Sequence, residues 1–336
     1  MKLYPLLFTS LFALLFLGCK ENVLDVDVSE IAIELKSQRL DQAFFNADFS
    51  NPDSSNAHLH EAYGPFYKVY LEEILKVGPV ENGESLTIAA DFCSDYYMKQ
   101  AYDEIQLVHN PKMEAYHNEL TLAFQHFKYH FPDHQVPRII YYHSGFNYGV
   151  FSMDSTVAVG LEWFLGKDNS ITKNLPFPLY RQEKMQSQYL VANVLKDWSN
   201  KTIYREIAGE NLLESLVYYG KIMYLVDACM PATPDSIKMN YSSSQMNWCV
   251  ENEFNIWKEL ASDQSILYDT KPFEINKWVS DGPFTAGLPQ ESPGMVGIWV
   301  GWMMVRDYHQ RFPESSIQEV LEQDASEILR SYNPKK

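Results

Sequence analysis

Apolar positions recur along most of this chain at helical spacing. The clearest run is Glu210 to Asp227. Leu212, Leu213, Leu216, Val217, Gly220, Met223 and Tyr224 fall at steps of one, three and four, which is one face of a helix. On another side Glu210, Glu214, Tyr218 and Lys221 are spaced four, four and three, a polar stripe along the same helix. Such a stripe is either a site or a solvated face. Upstream, from about 61 to 130, the pattern is also helical. Tyr63, Phe66, Tyr67, Tyr70, Leu71, Ile74 and Leu75 lead into a Gly78-Pro79 break, and further faces run over 85–97 and 113–129.

Before and between these helical regions the pattern turns to strand. Ile31, Ile33 and Leu35 alternate with Ala32 and Glu34, predicting a first strand. Arg138–His143, Phe146–Phe151 and Thr156–Leu161 predict three more, joined by short links as a meander. From Arg181 onward helices are expected at about 183–198, 203–227, 245–261, 295–311 and 316–331. The last opens on a capping box, Ser315 or Ser316 with Gln318 or Glu319 three residues on. Helices, a small mixed or antiparallel sheet, then helices make an α+β fold dominated by helix. There is no internal repeat, and no linker separates two domains. Gly297-x-x-x-Gly301 has the spacing that lets helices approach closely. With Arg306 and Asp307 within two turns, it reads as packing in a water-surrounded core.

The N-terminus reads as a targeting segment. Met1-Lys2 precedes an apolar run from Leu6 to Leu17 that is too short to span a bilayer, and Gly18-Cys19 closes it. This resembles the lipobox of bacterial lipoproteins, with Phe16 where Leu is usual. The expected division is 1–18 signal peptide, 19–29 tether and 30–336 a single domain, with Cys19 acylated and the body in water. Lys2 is the only charge before Cys19, so cleavage takes the net charge from −17 to about −18. That excludes nucleic acid as a partner and makes the acyl chains, not a basic patch, the membrane contact. The remaining Cys93, Cys229 and Cys249 are odd in number. Cys229 and Cys249 flank a Pro- and Ser-rich loop and can pair, or all three are buried thiols.

A sheet, an edge strand, a helix and then a second helix bearing Glu is the plan of zincin peptidases. There the first helix carries H-E-x-x-H, two imidazoles one turn apart with a carboxylate to activate water. The helix at 181–198 has no histidine, and none occurs between His143 and His309. His126 and His130 have the spacing of two ligands on one face but no Glu between them; His134 follows in a loop. His58-Leu59-His60 sits at a loop-to-helix junction and reads as exposed polar sequence. G-x-S-x-G, P-loop and G-x-G-x-x-G patterns are absent. No cofactor or metal is expected.

Cys19, the segment Ile31–Phe45, the strands over 138–161, Leu213-Glu214-Ser215-Leu216-Val217-Tyr218-Tyr219-Gly220-Lys221, and Pro293–Gly301 through Asp324–Leu329 together resemble the GldB gliding-motility lipoproteins of Bacteroidetes. That family is similar in turn to predicted zincin-like zinc proteases, in which H-E-x-x-H precedes a Leu-Glu-x-Leu-Val-x-x-Gly segment. The chain keeps the second element at Leu213–Gly220 and lacks the first. The resemblance implies a lipid-anchored envelope component of the gliding machinery, with its body in the periplasm. It would work beside other motility and type IX secretion proteins on a zincin-like scaffold without peptidase activity. Glu210, Glu214, Tyr218 and Lys221 are then a vestigial site or a structural stripe, with Glu214 and Lys221 expected in an internal ion pair or at a partner surface. Two alternatives stand beside this reading. One is a metallohydrolase using His126, His130 and Glu214. The other is a ligand- or peptide-binding lipoprotein with a groove from the aromatic residues of 135–165 and the Trp299/Trp302 region.

Overall fold

The computed structural model describes residues 22–203 and 209–335. The acylation position Cys19 lies outside the described residues. The first strand, β1, is Ser37–Arg39. Helices α1 (Leu40–Phe45), α2 (Pro52–Tyr63), α3 (Pro65–Val69, continued by a π-turn to Ile74) and α4 (Gly83–Ser94) follow, then α5 (Tyr96–His109) and α6 (Met113–His130). The sheet is completed by β2 (Arg138–Tyr142), β3 (Val150–Met153) and β4 (Thr156–Gly160). Short helices α7 (Ser170–Asn174) and α8 (Leu179–Gln182) lead to α9 (Leu190–Thr202) and α10 (Leu212–Cys229). The chain closes with α11 (Asp235–Met239), α12 (Ser243–Glu251), α13 (Glu253–Ala261), α14 (Gln264–Leu267), α15 (Pro272–Val279), α16 (Val296–Arg311), α17 (Ile317–Glu322) and α18 (Ala325–Ser331). The mostly helical α+β class is as expected.

Strand order is β1-β2-β4-β3, with β1, β2 and β4 parallel and β3 antiparallel to β4. The sheet is therefore mixed, and the expected meander is replaced by an arch. After β2 the chain crosses to the outer edge, makes β3, and returns through a hairpin at Asp154 to place β4 inside. The arch is tied by Glu162, whose Oε1 accepts the backbone N–H of Ser144 at 2.7 Å and of Phe146 at 3.2 Å, and also the Ser144 hydroxyl. Tyr142 holds its far side by donating to the carbonyl oxygens of Tyr148 and Gly149.

Both faces of the sheet are covered, which is why β2 and β4 read as apolar runs and not as alternating strands. Ile139, Tyr141, Val157 and Val159 face the large core built with α6, α9, α10 and α16. Ile140, Tyr142 and Ala158 face a smaller aromatic core containing Phe44, Phe66, Tyr67 and Tyr70 from α1 and α3. α10 lies in the middle of the large core and is buried almost all round, from Leu212 to Cys229.

Several boundaries differ from expectation, each for a local reason. Pairing begins at Ser37, not Ile31; Leu35 goes into the core without a ladder partner. The expected helix at 183–198 is broken by an extended Gln186, so α9 starts at Leu190. Of the helix expected at 203–227, residues 204–208 lie outside the described residues, and α10 begins at Leu212, where Asn211 caps it. Asn252 divides the run at 245–261, and Asp324 divides that at 316–331. The capping box falls on Ser316 and Glu319. Residues 22–29 are not a free tether: Leu24 and Val28 are buried, and Asn22 reaches the carbonyl of Pro231. Cys93, Cys229 and Cys249 are free thiols, the last two buried.

Candidate functional site

The polar stripe on α10 faces one groove. Glu210, Glu214, Tyr218 and Lys221 line it together with Gln323 and Asp324 from the segment between α17 and α18. Their chemistry is largely spent on structure. Glu214 accepts the backbone N–H of Glu210 at 2.7 Å and the Asn211 amide at 3.1 Å, while Asn211 accepts the backbone N–H of Glu214. This reciprocal cap satisfies donors that the first turn leaves open. Lys221 donates to the carbonyl of Gln323 at 2.5 Å, and Tyr218 donates to Asn200 at 2.8 Å. Glu214 thus caps the helix, and Lys221 reaches a backbone carbonyl.

A larger cleft, about 940 Å³, opens on the other side of Tyr218. Its walls come from the arch before β3, from α9 and α10, and from the start of α16. β3 is the sheet edge, and Gly149 and Val150 bring that edge to the rim. On α9, Asn193 and Asp197 lie one turn apart, and Lys196, Asp197 and Asn200 continue the wall. Asn193 is held by its donation to the Tyr189 carbonyl at 2.8 Å and by the amide of Asn240 at 3.0 Å, a residue in the left-handed region. Asp197 accepts the Ser152 hydroxyl from β3; burial raises its pKa, and this hydrogen bond works against the rise. Burial, reinforced by the Lys184 charge, lowers the Lys196 amine to about 7, against a smaller opposing pull from Asp281. Lys184 is paired with Asp281 at 2.5 Å.

The histidines do not join this site. His126 is buried beside the C-terminal end of α10, where it lines a cavity with Cys229 and Met230. Glu214 is at the opposite end of α10, fifteen residues and so roughly 22 Å away along the axis. The set His126, His130 and Glu214 is therefore not brought together. Among the described residues no three His, Cys, Asp or Glu are arranged to hold a metal. Burial lowers the His130 pKa to about 4, helped by His126 and His309. His58 and His60 are exposed on α2, which is helix where a loop junction was expected. Trp299 and Trp302 are wholly buried and line no groove; Tyr148 and Trp163 do line the cleft.

Two buried polar clusters escaped sequence reasoning. Glu162, His143 and Ser144 form the knot at the arch, with His143 3.5 Å from Glu162. Asp227, near the end of α10, accepts Lys238 at 2.5 Å and Arg306 at 2.6 Å; Arg306 also forks onto Asp235 and covers Trp302. Asp227 stands out in the sequence as an acid inside an apolar helix, but its partners are 11 and 79 residues distant.

Residues 21–334 match the family model of the gliding motility protein GldB. The chain belongs to that family. The match takes in both grooves, α9, α10 and the arch, so the whole described body is a family feature and not an appended domain. No curated protein and no solved structure matches the chain. Among the described residues no helix is long and apolar enough to cross a membrane. Membership places the chain in a gliding-motility lipoprotein family at the cell envelope.

Proposed function

We propose that the protein is a lipid-anchored assembly component of the gliding machinery, fixed by acylated Cys19 with its body in the periplasm. It would act beside other motility and type IX secretion proteins. Its scaffold is zincin-like and does not catalyse. The observation that carries this reading is the cleft-facing turn of α9. It runs beside an antiparallel edge strand, where a zincin helix would present two imidazoles one turn apart. In their places stand Asn193, committed to Asn240 and Tyr189, and Asp197, bonded to Ser152; Lys196 lines the same cleft beside them. A lysine there repels a dication and leaves one carboxylate as donor, a poor zinc site.

The test uses a deletion strain and plasmid-borne variants. Deletion should stop surface spreading. Asp197→Asn and Glu214→Gln each remove one carboxylate nearly isosterically, the first from the large cleft and the second from the smaller groove, and should each restore spreading at normal protein abundance. Failure of both variants with normal abundance would favour catalysis. Cys19→Ser should abolish palmitate labelling and membrane association; retained labelling overturns the anchor.

A further inference from the structure

The large cleft gathers three basic side chains against two carboxylates inside a strongly negative protein. Net charge is −17, yet Arg181, Lys184 and Lys196 converge on this one concavity. Asp281 answers Lys184. Asp197, beside Lys196 in the chain, is turned toward Ser152. Arg181 and Lys196 have no ion pair and no side-chain hydrogen bond among the described residues. The other ionisable side chains on the walls are the phenols of Tyr148, Tyr218 and Tyr219. A partly buried ammonium whose nearest carboxylates are committed to Lys184 and Ser152 is costly, and the cost is relieved by losing the proton or by gaining an anion.

The remaining walls define what carries that anion. Tyr148, Trp163, Tyr219 and Ile222 offer aromatic and aliphatic surface. Gly149 and Val150 bring the start of the edge strand to the rim. At about 940 Å³ the space is at the upper end for a small molecule and accommodates a short peptide segment.

We propose that this cleft recognises a carboxylate on a peptide, with Lys196 and Arg181 holding the carboxylate and the Tyr148–Trp163–Tyr219 wall holding the chain. The proposal rests on the reading of the scaffold as a non-catalytic binder, and it deepens that reading by naming the ligand class. Binding draws the Lys196 amine to its protonated form, so association takes up a proton near neutral pH.

The full-length protein in detergent is acylated with limiting acetic anhydride at pH 7, and modification at each lysine is read by mass spectrometry. Lys196 should react ahead of the exposed Lys271, because burial favours the neutral form of the Lys196 amine. N-acetyl tetra-alanine with a free C-terminus should slow Lys196 acylation about tenfold at saturation, whereas its C-terminal amide should not. A doubly blocked peptide with one internal Asp separates sources: protection by it assigns a side-chain carboxylate, and protection by the free acid alone assigns a chain end. Equal protection by acid and amide, or by neither, overturns the proposal. Equal protection by inorganic phosphate reduces it to an anion site and overturns the peptide. In calorimetry, Lys196→Met should lose peptide binding and Lys196→Arg should keep it; if Lys196→Met misfolds, Arg181→Met serves. Peptide binding lost with spreading intact leaves the site standing and removes its role in motility.

Discussion

Asp227 shows what a single residue does in the middle of this fold. Its carboxylate is buried, and burial alone raises its pKa; the Arg306 and Lys238 charges and their hydrogen bonds outweigh that and hold it below the ordinary carboxylate range. Removing it strands Lys238, which is itself buried and keeps only a 3.9 Å contact to Asp235. Asp227→Ala should therefore cost about 3 kcal/mol, the lower end for breaking a buried pair, since Arg306 retains its fork on Asp235. The urea midpoint measures it. Glu214→Ala should cost only ~1 kcal/mol, as the loss of one helix cap. A Glu214→Ala loss larger than that of Asp227→Ala would reverse this ranking and restore Glu214 as more than a cap. Asp227 was visible in the sequence only as an oddity. Spacing along one helix exposes the stripe at 210–221, because i, i+4 neighbours are fixed by geometry. It says nothing of Lys238 or Arg306, which arrive from other elements.

At the scale of elements, the crossing of α10 and α16 decides the core. Gly220 and Gly301 face each other so closely that a Cβ on Gly301 would sit 1.8 Å from the carbonyl oxygen of Leu216, and one on Gly220 2.2 Å from the carbonyl carbon of Gly301. The obstacle is backbone on both sides, so no side chain can move aside. Gly301→Ala must separate two helices that share the centre of the large core, and it should cost ~3 kcal/mol or more. Greatly lowered soluble yield and thermal midpoint should accompany it. A fully stable Gly301→Ala protein would mean the helices cross elsewhere. The Gly-x-x-x-Gly spacing announced tight helix packing in advance, though not its partner, and the helix itself was expected at 295–311. The sheet was less legible. Its strands β2 and β4 read correctly from their apolar runs, but parallel pairing depends on the arch at 143–149. That arch is held by Glu162, a residue whose role follows from backbone donors that no pattern of side chains encodes. For the same reason Lys196 was not singled out: on a helix face it is one more polar position, and only the convergence of Arg181, Lys184 and the edge strand gives it a setting.

For the whole molecule, the buried histidines make the acid side of the stability profile. His109 is enclosed between α5, α6 and the turn after β4. The Leu161 carbonyl takes its Nε2 proton at 3.0 Å, so Nδ1 is the acceptor for the Tyr116 hydroxyl at 3.1 Å. Burial depresses its pKa to about 4 despite the Leu161 bond, and burial does the same to His130. An unfolded histidine takes its proton near 6.5, whereas these two resist it until about pH 4. Their contribution is therefore present above pH 6.5 and is lost as pH falls toward 4, by up to ~3 kcal/mol apiece. Glu162 and Asp227 act later. Burial opposes both charges, but His143 and Ser144 for the one, and Arg306 and Lys238 for the other, keep their pKa values low, so they weaken the fold only below the ordinary carboxylate range. Lys196 works in the opposite direction: its depressed pKa favours the neutral amine, so the folded state gains as pH rises from 7 toward 10. The thermal midpoint should thus be highest on the alkaline side, and below neutrality it should fall in two stages, the first between pH 6.5 and 4. His109→Gln and His130→Gln, each lower in stability at pH 8 through lost packing, should flatten that first stage. A midpoint unchanged between pH 7 and 5 in the unsubstituted protein would show that these imidazoles are solvated, and with that the packing of α5 and α6 against the arch would have to be redrawn.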